Sequence, residues 1–84
     1  MSFDYVSILL DFLGKLRITA NISRVEENGV VKIYLDRRLT PILRRRGINE
    51  SWFMLQLISL FQRRGLKTRI IEKKGCGTIV VLYK

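Results

Sequence analysis

Asp4 and Asp11 are the first residues whose type and spacing invite chemistry, since a seven-residue interval puts both carboxylates on one helical stripe with Ser7 between them. A carboxylate pair could hold a divalent cation, but seven residues of helix rise about 10 Å, too far for both to clasp one ion. Only Asp11 from two copies meeting at a two-fold axis could share one. The plainer assignment gives Asp4 to the positive helix N-terminus and leaves Asp11 exposed or ion-paired. Cys76 lies in a glycine-flanked turn without a second thiol and reads as an incidental small residue. Histidine is absent from the sequence, which removes His-bearing zinc sites, Ser-His-Asp and Cys-His catalysis and imidazole switching. The expectation is a chain with no metal and no cofactor.

The cations are the larger set. Sixteen Lys and Arg against seven Asp and Glu give a formal charge of +9, which must meet phosphates, an anionic membrane surface or an acidic protein. Over residues 15–24, Lys15, Arg17, Thr19, Asn21 and Ser23 alternate with Leu16, Ile18, Ala20 and Ile22, predicting a strand with one dry and one basic face. Lys32 and Tyr34 take the same face of the next strand, and Lys67, Arg69 and Lys73 that of a third. Lys and Arg can reach phosphates and base edges, while Thr, Asn, Ser and Tyr add short hydrogen-bonding groups. Antiparallel sheets commonly leave one face wet, but a merely solvated face mixes signs, and these positions hold no carboxylate. A second group is Arg37, Arg38, Arg44, Arg45, Arg46, Arg63 and Arg64. Two cations at a helix C-terminus would complement its dipole; three in a row repel one another unless an anion is close. Arg44, Arg45 and Arg46 therefore join the strand residues as the predicted nucleic-acid-binding set.

Positioning these side chains falls to seven elements. Residues 2–14 predict a helix capped by Ser2 and stopped by Gly14, apolar over most of its circumference and so in need of cover on more than one side. The strand at 15–24 turns through Asn28-Gly29, the strongest short hairpin signal, into a strand at 30–36. Thr40 and Pro41 predict the cap and first residue of a short helix ending at Gly47. Asn49 caps a longer one running to Arg64, with Ile48 set to staple onto Phe53. Strands at 66–73 and 78–83 close a second hairpin. The predicted fold is α+β in the order αββααββ, a four-stranded antiparallel sheet with helices on one face, forming one domain over 1–84.

Composition adds its own bounds. At 48% apolar the chain is not disordered, and a domain this small needs a dense core or a shared one. Trp52 and its neighbours are expected in that core or in a subunit interface. The apolar runs at 6–13 and 52–61 fall short of the roughly 20 residues of a membrane span, and Asp4 stands where a secretory signal would be basic. A cytoplasmic protein is expected. Few Gln, Asn, Met and Cys beside many Arg suggest a thermophilic source.

The run Val6-Ser7-Ile8-Leu9-Leu10-Asp11-Phe12-Leu13-Gly14 resembles a degenerate form of the motif helix that heads each half of the LAGLIDADG homing endonucleases. Leu9 and Leu10 stand where that family has Leu-Ile, Asp11 at its first Asp and Gly14 at its closing Gly. Downstream, the helix at 52–61, Arg63-Arg64-Gly65-Leu66 and the ending Val80-Val81-Leu82-Tyr83 are also similar, mostly through apolar positions. The resemblance implies a homing endonuclease-like fold and a sheet that lies on duplex DNA. The family's second motif Asp binds the divalent metal at the scissile phosphates; Leu13 replaces it here and offers Mg²⁺ no oxygen. Hydrolysis by that route is expected to be lost, with Asp11 catalytic only if activity survives. Ile8 and Phe12 replace small residues where two motif helices cross, so paired helices should stand further apart.

The expected function is thus non-catalytic binding of duplex DNA by a basic sheet face, in a homodimer formed through the 6–13 helix. Structured RNA, for a maturase-like or ribosome-associated protein, is the alternative, and an acidic protein partner the third. Tyr34 alone among the rings falls on the basic strands, against a single-strand stacking platform, and neither long helix has the cationic face a membrane surface would select.

Overall fold

The computed structural model describes residues 4–73, 75 and 77–84. Helix α1 (Tyr5–Lys15) begins at Asp4, whose carboxylate accepts from the Ser7 hydroxyl at 2.6 Å and the Ser7 amide at 3.1 Å. Those two bonds hold the Asp4 carboxyl below its ordinary pKa. Ser2, expected as the cap, and Cys76 lie outside the described residues. Leu9 and Leu13, one turn apart, form the buried stripe of α1.

The first hairpin joins β1 (Ile22–Glu27) to β2 (Val30–Leu35) through Asn28 and Gly29, both with positive φ as a two-residue hairpin turn requires. Helices α2 (Leu39–Arg46) and α3 (Glu50–Gln62) follow, and then the hairpin of β3 (Lys67–Lys73) and β4 (Gly77–Tyr83). The sheet runs β1-β2-β4-β3, antiparallel throughout, so the two hairpins meet along β2 and β4. In that central pair Val31 faces Leu82 and Ile33 faces Val80. All four are buried, together with Leu9, Leu13, Leu39, Leu43, Phe53, Leu57 and Phe61 of the helices, so the helices cover this one face of the sheet. Ring contacts of Phe12 with Phe53 at 5.5 Å and Tyr5 with Phe61 at 6.2 Å tie α1 to α3. Each fully buried Leu or Phe is worth about 1.5–3 kcal/mol, enough to order a chain this short.

All three helices end in the same way. The Ile18 amide reaches Leu13 O and the Arg17 amide Gly14 O; Ile48 and Gly47 repeat the pattern on Leu43 and Arg44, and Leu66 and Gly65 on Phe61 and Gln62. The crossed bonds satisfy terminal carbonyls and bring an apolar residue back onto the core. Gly47 and Gly65 supply the left-handed residue in two cases and Arg17, at φ 57°, in the first. Gly14 consequently lies inside α1 and does not stop it.

This ending displaces the strand expected at 15–24. Lys15 closes α1, Arg17 turns the chain, residues 18–21 are irregular, and β1 begins only at Ile22. The alternation that suggested a strand is real as burial, since Leu16, Ile18, Ala20 and Ile22 turn inward while Lys15, Arg17, Thr19 and Asn21 are exposed. A second correction concerns α2. Its first residue is Leu39, and Arg38 precedes it without a side-chain cap. The Leu39 amide donates to Thr78 Oγ1, and Glu72 accepts from both the Thr40 amide (2.8 Å) and the Thr40 hydroxyl (2.7 Å). Caps from β3 and β4 thus override the local Thr40-Pro41 signal. No helix among the described residues is long and apolar enough to cross a membrane.

Candidate nucleic-acid interface

Strand pairing fixes which side chains share the uncovered face of the sheet. Residues directly opposite one another project to the same side, so one row across the sheet is Val25, Lys32, Val81 and Arg69, and the next Ser23, Tyr34, Ile79 and Ile71. Lys67 opposite Tyr83, Lys73 opposite Gly77 and Glu27 opposite Val30 complete it. Six predicted residues, Ser23, Lys32, Tyr34, Lys67, Arg69 and Lys73, therefore come together here.

Its texture differs from the expected continuous polar surface. Val25, Ile71, Ile79 and Val81 cross it from edge to edge with Tyr34 and Tyr83, and the cations are set among them: Lys32 on central β2 between Val25 and Val81, and Lys67, Arg69 and Lys73 along the edge strand β3. Among the described residues no carboxylate lies within 4.0 Å of any of these four cations. Among the described residues Glu27 is the face's one acid, at the corner of the opposite edge strand. Parity explains the change: beyond Ser23 the alternation reverses, so Val25 takes the open face while Arg24 and Glu26, paired at 2.8 Å, take the other. A signal for the apolar ridge exists in the sequence, for Ile70-Ile71 and Ile79 through Leu82 are unbroken apolar runs, the pattern of strands covered on both sides.

The remaining predicted residues sit elsewhere. Lys15 is 3.4 Å from Asp11 on the exposed side of α1, and Arg17 occupies the helix-ending turn. Thr19 and Asn21 lie in the α1–β1 connection, where Asn21 donates twice to Asp36 at 2.9 Å and Arg37 donates to Thr19 O at 3.3 Å. Arg44, Arg45 and Arg46 close α2, with Arg44 3.9 Å from Glu50. Leu13 is 1% exposed and is a core anchor; Asp11 is exposed on the surface.

A second cationic region, which the sequence reading of the strands did not separate, lies at the β2–α2 corner. A hollow of about 370 Å³ is lined by Asp36, Arg37, Arg38, Pro41, Ile42 and Arg45, and a neighbouring one of about 380 Å³ by Arg37, Ile42, Arg45 and Arg46. On the helix layer, Trp52 (46% exposed), Leu55 (66%) and Ile58 (37%) form an outward stripe of α3, so Trp52 is outside the core. Leu10, also 46% exposed, is the outward apolar residue of α1.

No protein-family model, curated protein or solved structure matches the chain.

Proposed function

We propose that the protein binds duplex nucleic acid, DNA in the first instance, through the open face of its sheet and does not cut it. The observation that carries this reading is the set Lys32, Lys67, Arg69 and Lys73, four cations on one uncovered face with no acid among the described residues within 4.0 Å of them. Unpaired cations meet phosphates, and the interspersed Val25, Ile79 and Val81 offer apolar contact to thymine methyls at the edge of a major groove. The LAGLIDADG-like run in α1 supports the same reading, and the core position of Leu13 supports its non-catalytic half. Pairing of two copies through α1 belongs to the proposal, with Leu10 at the contact.

Duplex affinity measured against salt tests it. Four phosphate contacts give a log–log slope of roughly −3.6; an affinity indifferent to salt refutes the electrostatic contact. Specific nicking of supercoiled DNA in Mg²⁺ or Mn²⁺ refutes the non-catalytic half. Competition between DNA and RNA duplexes separates the two nucleic acids, since A-form grooves present different widths to a sheet.

A further inference from the structure

We propose that the hollow at the β2–α2 corner is a separate binding site for a nucleoside phosphate, either free or as the 5′-phosphorylated end of a strand. The site does not depend on the sheet reading. Arg37 and Arg45 line both adjoining hollows, Arg38 enters from one side and Arg46 from the other. Among the described residues none of the four has a carboxylate within 4.0 Å. Among the described residues Asp36 is the single acid in the lining, and both of its oxygens are engaged by Asn21. In the hollow of about 370 Å³ the three guanidiniums of Arg37, Arg38 and Arg45 stand against one carboxylate, with Arg46 on the adjoining hollow, a surplus that a phosphate dianion matches better than the single charge of a backbone diester.

Helix electrostatics sharpens the case. Arg44, Arg45 and Arg46 sit in the last turn of α2, where the dipole favours cations, but Arg37 and Arg38 precede its first turn, where the dipole opposes them. The first amides of α2 are already taken by Thr78 and Glu72, so any anion here is held by arginine side chains and not by the helix end. Guanidinium forks suit bidentate phosphate contacts, whose geometry lysine cannot reproduce. Pro41 and Ile42 supply an apolar floor beside the charge, and a volume near 370 Å³ falls within the range of small-ligand sites, enough for a base or sugar as well as its phosphate.

The test uses three probes on the whole chain: inorganic phosphate, adenosine 5′-monophosphate, and one duplex with and without a 5′-phosphate. The nucleotide should shift the side-chain Nε–H resonances of Arg37 and Arg45 and bind at least tenfold tighter than inorganic phosphate. Arg45→Ala should weaken it at least tenfold and Arg45→Lys by less, while the Lys32→Ala, Arg69→Ala pair leaves it unchanged. Tighter binding of the 5′-phosphorylated duplex, by fivefold or more and lost in Arg45→Ala, makes a strand end the source; equal duplex affinities with nucleotide binding retained make a free nucleotide the source. Arginine resonances unmoved by the nucleotide, or an affinity the same in Arg45→Ala, overturn the site. Because the nucleotide titration needs no duplex, failure of the sheet reading is seen separately.

Discussion

The cations of the sheet face stand on an extended lattice, while the arginines of the corner converge on two adjoining hollows. Lys67 and Arg69 alternate along β3, about 7 Å apart, with Lys32 and the apolar ridge beyond them. Such spacing keeps like charges apart and, on the proposed reading, would follow a repeating polyanion. At the corner, Arg37 and Arg38 leave a bend and Arg45 and Arg46 leave a helix, so their separation is set by tertiary contacts. The same excess of positive charge therefore has two physical outcomes. Strand parity spreads cations over a surface, proposed for many weak contacts, and a capped bend gathers them at a hollow, proposed for one strong one.

The largest effect should come from Gly77, where β4 meets the bend that carries Arg37. A Cβ there would collide with the Leu35 carbonyl oxygen and lie 3.0 Å from Asp36 C and 3.1 Å from Arg37 N; the backbone also has φ 115°. Gly77→Ala should cost about 3 kcal/mol or more in urea denaturation. If the variant still folds, amide signals of Asp36 and Arg37 should move while those of Lys32 and Arg69 hold. The opposite pattern breaks the distinction between the two regions.

Glu72 comes next, because it fastens the start of α2 to the sheet. Burial works against its charge, but hydrogen bonds from the Thr40 hydroxyl and amide and from Leu39, with the charge of Arg38, outweigh it, and its carboxyl titrates below the ordinary 4.5. A depressed carboxyl stabilises the fold fully above that ordinary value and loses its contribution as pH falls through the lower folded one. Glu72→Ala should therefore lose about 2 kcal/mol at neutral pH and flatten the acid side of the stability profile. Loosening of α2 should weaken nucleotide binding and spare duplex binding; equal loss of both would show that the regions share one support.

The affinity of the flat face should divide among its members. Arg69→Ala is expected to weaken duplex binding roughly 5- to 30-fold, the equivalent of about 1–2 kcal/mol, and to lower the salt slope by about one. Arg69 is exposed on an edge strand, so far-ultraviolet circular dichroism should be unchanged. A loss of folded signal would place Arg69 in the structural core of the hairpin and remove it from the interface.

Local signals were legible where a single element satisfied them. Asn28-Gly29 made its turn, Asn49 capped α3 by accepting from the Trp52 amide, and the αββααββ order followed from hydrophobic period together with cap and turn residues. Signals failed where a distant residue competed. Thr40 looked like a cap, but its hydroxyl and amide both turn to Glu72, 32 residues away. The corner hollow depends on Gly77 lying against Leu35 and on Asn21 reaching Asp36, neither of which leaves a local pattern. Arg37 and Arg38 were visible only as charge; the bend that aims them comes from tertiary packing. The open face was half legible, since its cations followed parity while Val25 and Tyr83 did not enter the alternation.

Arg17 separates charge from position most cleanly, and its effect should be the smallest. Its place at the end of α1 matches that of Gly47 and Gly65 in the other helices, and the spacing of Leu13 to Ile18 repeats in Leu43 to Ile48 and Phe61 to Leu66. A left-handed conformation costs a residue with a side chain about 1–2 kcal/mol, whereas glycine pays about 0.5–1 kcal/mol in lost chain entropy. Arg17→Gly should accordingly raise stability by about 0.5 kcal/mol. It removes a cation from neither the sheet face nor the corner, so the salt slope for duplex and the affinity for nucleotide should both stay near those of the parent chain. A slope lowered by a full unit, as for Arg69→Ala, would mean that the helix-ending turn reaches the duplex and that the cationic face extends beyond the sheet.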